Sequence, residues 1–354
     1  MRERSILTGI VVVALWAAVN TSAAGAPHTV YAAGSYFDAG VLHACYWKGT
    51  ARVDLAGDGK HSASAQSIFV SGTSVFTAGY YSDGSREIPC YWEGAKRTDL
   101  SSDGHHNARV TSLFVAGTEV YASGYFSDGN KETPCYWTAK GRTDLPVATA
   151  GGGEALSIQV VGGTVYVSGY SEGPQGKAPC YWTGAKRTEL PRNAAVPGNG
   201  VANAIYVVKG TVYSSGYVAA AERDAACFWT DMKRTDLPSD KPTGSENYNG
   251  YANSVFVSAG VVYSAGLSQK QVGHDADPVY MPCYWAGNKK VDLPGDGKHK
   301  GSAYAVFVAG GSVYSAGFYS NGTREIPCYW TGVKKTDLRG GSDDDAEVYS
   351  LFVQ

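Results

Sequence analysis

The sequence has little charge of either sign to spare. Its 30 basic and 32 acidic residues leave a formal net charge of −2, and charged residues make up 18% of the chain. That balance provides no broad basic footprint, so no nucleic-acid partner is expected. The apolar fraction, 44%, is too high and the charge too low for a disordered chain. Catalytic signatures are missing as well: there is no HExxH and no Ser-His-Asp signature. Beyond the first 26 residues no segment keeps a helical spacing of apolar positions. Gly (45 residues) and Tyr (25 residues) are abundant instead. They are residues of turns and strands.

The first 26 residues read as a secretory signal. Arg2 and Arg4 give a basic start, Ile6 to Val19 an apolar run, and Thr21 to Ala26 a string of small residues. The run is shorter than the roughly 20 residues a bilayer requires, so no membrane span is expected. No Cys follows it, which gives a lipid anchor no support. Pro27 favours cleavage before Ala26, at about Ala24. A secreted or periplasmic location is the expectation, with residues 27–354 as one domain.

Cysteine falls into a repeat. Cys45, Cys90, Cys135, Cys180, Cys227, Cys283 and Cys328 are all the cysteines, and each is followed two residues later by Trp47, Trp92, Trp137, Trp182, Trp229, Trp285 or Trp330. The spacings are 45, 45, 45, 47, 56 and 45. In the second copy, Ala65–Val70, Val75–Tyr80, Ile88–Trp92 and Lys96–Leu100 are four short strand patterns, and Ser82-Asp83-Gly84-Ser85 is a hairpin signal between the second and third. Four strands at such a period predict one propeller blade. The chain opens with the second pattern, Thr29–Gly34, and ends on a lone first pattern, Val348–Val353. The two ends therefore complete one blade. The prediction is an all-β, seven-bladed β-propeller with four antiparallel strands per blade, closed by pairing of its terminal strands.

Val120-Tyr121-Ala122-Ser123-Gly124-Tyr125 with Tyr136-Trp137-Thr138, and likewise Tyr91-Trp92-Glu93-Gly94, resemble the tandem "VYVAGY…YWKNG" units of uncharacterised exported bacterial β-propeller repeat proteins. The resemblance covers essentially all of the chain after the signal. The Cys before each aromatic pair departs from the pattern. What the resemblance implies is the fold and export, and no activity.

Alternation places Cys and Trp on one face of the third strand, in the gap between blades. Equivalent points on neighbouring blades of a sevenfold ring are separated by about 0.87 times their distance from the axis. A disulfide requires Cα atoms within about 7 Å, which only the innermost strand satisfies. Seven buried free thiols are expected, with no cofactor and no metal. Pro89, Pro134, Pro179, Pro282 and Pro327 mark strand starts. The acid closing each fourth strand (Asp54, Asp99, Asp144, Glu189, Asp236, Asp292, Asp337) reads as a turn cap. The basic pairs that open it, such as Lys96-Arg97, read as charge on an edge strand.

Hairpins between the second and third strands share one face with the loops that join blades. These are the longer, variable loops, and function concentrates on such loops. They include the insertions Ser239–Gly250 and Ser268–Met281, and His61, His105, His106, His274 and His299. Three of them repeat an Asp-Gly-x-His register: Asp58/His61, Asp103/His106 and Asp296/His299. The last joining loop carries Asp343-Asp344-Asp345. Near the axis, the second residue of the first strand pattern varies: Gln66, Thr111, Leu156, Asn203, Asn253, Tyr304, Tyr349. The candidate ligand-binding residues are Gln66, Thr111, Asn203, Asn253, Tyr304, Tyr349, His61, His106, His299, Arg86 and Arg324. They point to a non-catalytic, monomeric binder of a protein, peptide or glycan on the long-loop face. The alternative is an enzyme of hydrolase or lyase type in the central funnel, marked by acids, His or Arg converging at its mouth, with Glu87 and Glu325 as further candidates.

Overall fold

The computed structural model describes residues 28–149, 151–192, 196–220, 223–240, 249–270, 278–341 and 345–354. The expected signal segment, His274, Asp343, Asp344 and most of the two insertions lie outside the described residues. The chain is a seven-bladed β-propeller. Each blade is a four-stranded antiparallel sheet, and in six of the seven the strands lie in chain order. Blade 1 is the composite: Ala346–Val353 lies beside Val30–Asp38, followed by Val41–Lys48 and Ala51–Asp54. Blades 2 to 7 span Ala63–Asp99, Ala108–Asp144, Gly153–Glu189, Gly200–Asp236, Gly250–Asp292 and Gly301–Asp337. No helix of the described residues is long and apolar enough to cross a membrane.

The repeat positions explain the packing. On each third strand Cys and Trp are buried, with the intervening Tyr, or Phe228, turned to the other face. All seven cysteines are free and buried. Each Trp does more than fill the gap between sheets. Its indole N–H donates to a backbone carbonyl in the loop arriving from the preceding blade, as in Trp137 to Ser101 (2.8 Å), Trp182 to Pro146 (2.7 Å) and Trp47 to Arg339 (2.9 Å). A buried carbonyl left unpaired would cost about 1–3 kcal/mol, so the indole both packs and ties blade to blade.

The acid ending each fourth strand is engaged differently from the expected turn cap. Two residues apart on a strand means the same face. Each acid accordingly pairs with the base two positions before it, as in Arg97–Asp99 (2.9 Å) and Arg234–Asp236 (2.8 Å). Several of these bases also stack on a second-strand aromatic ring: Arg52 on Tyr36 at 3.8 Å, Arg97 on Tyr81 at 3.7 Å, Arg142 on Phe126 at 3.9 Å.

Every blade carries a β-bulge on the first strand, where the register against the second strand shifts by one. Opposite it stands a repeated glycine: Gly34, Gly79, Gly124, Gly169, Gly216, Gly266 or Gly317. A Cβ there would strike the carbonyl of the first-strand residue just before the one that faces the glycine. The bulge brings two backbones too close for any side chain between them.

Candidate functional site

The predicted long-loop residues first hold the loops together. Asp58 Oδ1 accepts the backbone N–H groups of Lys60 and His61, at 2.9 and 2.8 Å, and Oδ2 meets His61 Nδ1 at 2.5 Å. The same bracket recurs at Asp103/His106 (2.7 Å) and Asp296/His299 (2.5 Å). The Lys60 N–H, followed by His61, holds the Asp58 carboxyl well below the usual carboxylate range. The far edge of each imidazole lies over a hairpin glycine of the same blade: His61 over Gly84, His106 over Gly129, His299 over Gly322. Arg86 Nε pairs with Asp83 of its own hairpin at 3.2 Å, and the Arg324 N–H is capped by Asn321 Oδ1 at 3.0 Å.

The variable near-axis residues are the bulged residues themselves. A bulge leaves a carbonyl outside the ladder. Thr111 Oγ1 donates to the Ala155 carbonyl of the next blade at 2.6 Å, Asn203 to Ala252 at 3.1 Å and Asn253 to Ala303 at 3.1 Å. Gln66 donates to Ser64 Oγ at 2.7 Å, and Tyr349 meets Ser35 Oγ at 3.1 Å. Tyr304 and Tyr349 lie with ring centres 5.8 Å apart.

Sequence reasoning named Glu87 and Glu325 but missed the other residues that the structure gathers at the inner rim of the long-loop face. The signal was available: they occupy the position after each repeated Gly, the first-strand position paired with that residue, and the position three residues before each Cys. The first set contributes Tyr80, Tyr125, Tyr170 and Tyr217 on four successive blades. The other two sets meet across blade junctions. Glu87 of blade 2 makes a two-pronged ion pair with Arg109 of blade 3, and that guanidinium stacks on Tyr80 at 4.3 Å. Glu132 of blade 3 shares a hydrogen bond with Glu154 of blade 4, whose other partner is the Tyr170 hydroxyl at 2.6 Å. Partial burial, then the Glu154 contact, pushes the Glu132 carboxyl up to about 7. Lys177 lies 4.0 Å over the Tyr170 ring. Asp224 of blade 5 accepts the Tyr251 hydroxyl of blade 6 at 2.7 Å. Beside the blade 3–4 junction is a polar cavity of about 310 Å³, lined by Ser127, Asn130, Lys131, Glu132, Tyr170 and Glu172 among others. Among the described residues no cluster of three or more His, Cys, Asp or Glu could hold a metal ion.

The opposite end of the central opening is nearly shut. Phe69, Phe114, Tyr206, Phe256, Phe307 and Phe352 repeat at one first-strand position, with Gln159 as the seventh. Neighbouring ring centres are 4.7–5.4 Å apart and interplanar angles run from 38° to 61°. A sevenfold ring with that spacing has its centres about 6 Å from the axis. Rings lying side by side in the wall would collide at about 5 Å, so they fan radially with their edges inward. The residual bore is on the order of a water molecule.

No family model matches the chain, and no curated protein matches it. Among solved structures it is similar to an ulvan lyase of a new polysaccharide lyase family, with 9% identity, 81% of each chain covered and a TM-score of 0.45. It is similar to a thermostable family-43 glycoside hydrolase, with 9% identity, 65% of this chain and 92% of that one covered, and a TM-score of 0.38. A computationally designed protein gives 12% identity, 77% and 73% coverage, and a TM-score of 0.39. Likeness at this level carries no argument about chemistry.

Proposed function

We propose that the protein is an exported, non-catalytic β-propeller that binds a glycan in the mouth of its long-loop face, along the arc of blades 2 to 5. The observation that supports this is the break in repetition. The packing positions recur through the ring, whereas the rim carries four tyrosines, an Arg–Glu fork and a carboxyl pair beside a polar cavity. Tyrosine faces offer stacking surface for sugar rings, and the charged forks offer acceptors and donors for hydroxyls.

A second reading, an enzyme acting in the funnel, is favoured by one feature: Glu132, held as an acid near neutral pH against Glu154 and Tyr170. Screening the purified protein against glycan and peptide arrays separates the readings. The expected result is a glycan hit whose affinity falls at least tenfold in Tyr125→Ala with the melting temperature held. A peptide hit with no glycan hit overturns the ligand class. Conversion of the hit to a new product, lost in Glu132→Gln, overturns the non-catalytic reading.

A further inference from the structure

We propose that closure of the ring is gated by a proton: the closing strand Ala346–Val353 docks on blade 7 through a glutamate pair that must share one proton, and losing that proton loosens the clasp. Blade 1 differs from the other six in being joined from both ends of the chain. Backbone pairing from Val30–Val353 to Tyr36–Ala346, extended by Thr29 and Gln354, holds its first strand to the rest. At the second position of that strand, opposite Ser35, stands Glu347.

The groups facing Glu347 come from three elements. From the third strand of blade 7 comes Glu325, hydrogen-bonded to it. Lys300, ahead of the first strand of blade 7, places Nζ 2.6 Å from Glu325, and Tyr304 follows on that strand. From the closing segment itself come Tyr349 and Asp345, whose Oδ1 accepts the Glu325 N–H at 2.5 Å. The neighbouring cation is thus engaged with Glu325. Two carboxylates in contact cannot both ionise cheaply, so Glu347 carries the proton and donates it to Glu325. Burial first, then the contact with Glu325, pushes Glu347 up to about 8 from its ordinary 4.5.

The direction follows from counting protons. The docked strand holds one proton more than the released strand between the ordinary glutamate range and about pH 8. Closure is therefore tightest in acid. The opening constant rises by up to tenfold per pH unit across that window and levels off above it. Glu132–Glu154 is an internal comparison, because both of its strands are joined by the chain to their own blades.

Hydrogen exchange of the intact protein, corrected for intrinsic rates and followed by mass spectrometry from pH 5.5 to 8.5, reads the clasp directly. In the wild type, protection of residues 346–354 falls at least tenfold between pH 5.5 and 7.5, while that of Gly153–Val161 in blade 4 holds. Glu347→Gln flattens the profile of the closing strand, and Glu132→Gln leaves it as in the wild type. Glu325→Gln, which removes the other carboxylate but leaves the burial of Glu347, makes the profile shallower than in the wild type and serves where Glu347→Gln does not fold. The proposal is overturned if the slope survives in the Glu347 variant, if the Glu325 variant keeps the full wild-type slope, or if all blades lose protection together.

Discussion

Replacing Gly124 with alanine puts the bulge geometry to a quantitative test. A Cβ on Gly124 would lie 2.9 Å from the Arg109 carbonyl carbon and 3.1 Å from Val110 Cα, with the Arg109 oxygen closer still. Backbone occupies that space, so no side chain can rotate away. The first strand would have to retreat by roughly 1 Å, straining a ladder that already shifts register between Val110 and Ser112. A cost of about 3 kcal/mol or more follows for overpacking against backbone. Gly117→Ala is the matched control: its φ is +64° but no atom lies within 4 Å of its Cβ, so it loses only the roughly 1 kcal/mol of a left-handed alanine. Calorimetry and guanidinium titration followed by tryptophan fluorescence both apply. At about 2–4 °C per kcal/mol, Gly124→Ala melts several degrees below Gly117→Ala. Equal melting temperatures for the two variants refute the close-approach argument. Because the displaced carbonyl belongs to Arg109, the same change also weakens any ligand held at the rim.

Trp137→Phe removes the hydrogen bond to Ser101 and part of a buried ring, and is expected to cost about 3 kcal/mol in denaturant titration; Tyr136→Phe on the opposite face stays within about 0.5 kcal/mol. The seven thiols of the folded protein should be silent to a thiol reagent at pH 8 and all react in denaturant. Burial pushes each thiol up, Cys180 to about 12, so fast reaction without denaturant contradicts the packing. Arg97→Met removes a stack on Tyr81 and an exposed pair with Asp99, and should lower stability by only about 1 kcal/mol.

Much of the architecture was readable from local rules. The Cys-x-Trp spacing gave the blade count, and the strand missing at the front and present at the back gave the closure. Asp83-Gly84 marked a hairpin because few dipeptides turn so tightly. The site was less readable. His61, His106 and His299 stand out as titratable residues in loops, yet each is bracketed by an aspartate three positions earlier and laid on a glycine about 23 residues later. The rim residues are ordinary in sequence. Glu132 and Glu154 are separated by a strand, a turn and a joining loop, so nothing local marks them as partners.

Periodicity belongs to the chain, and by itself it determined that one four-stranded unit is copied seven times with its packing residues in phase. Tertiary structure alone decided which side chains meet across the gaps between units, because neighbours there come from separate strands whose contact depends on sheet twist and bulge position. Twist and bulge place Glu87 on Arg109, Glu132 on Glu154 and Glu325 on Glu347. The same geometry turns six scattered aromatic residues and one glutamine into a single fan around the axis.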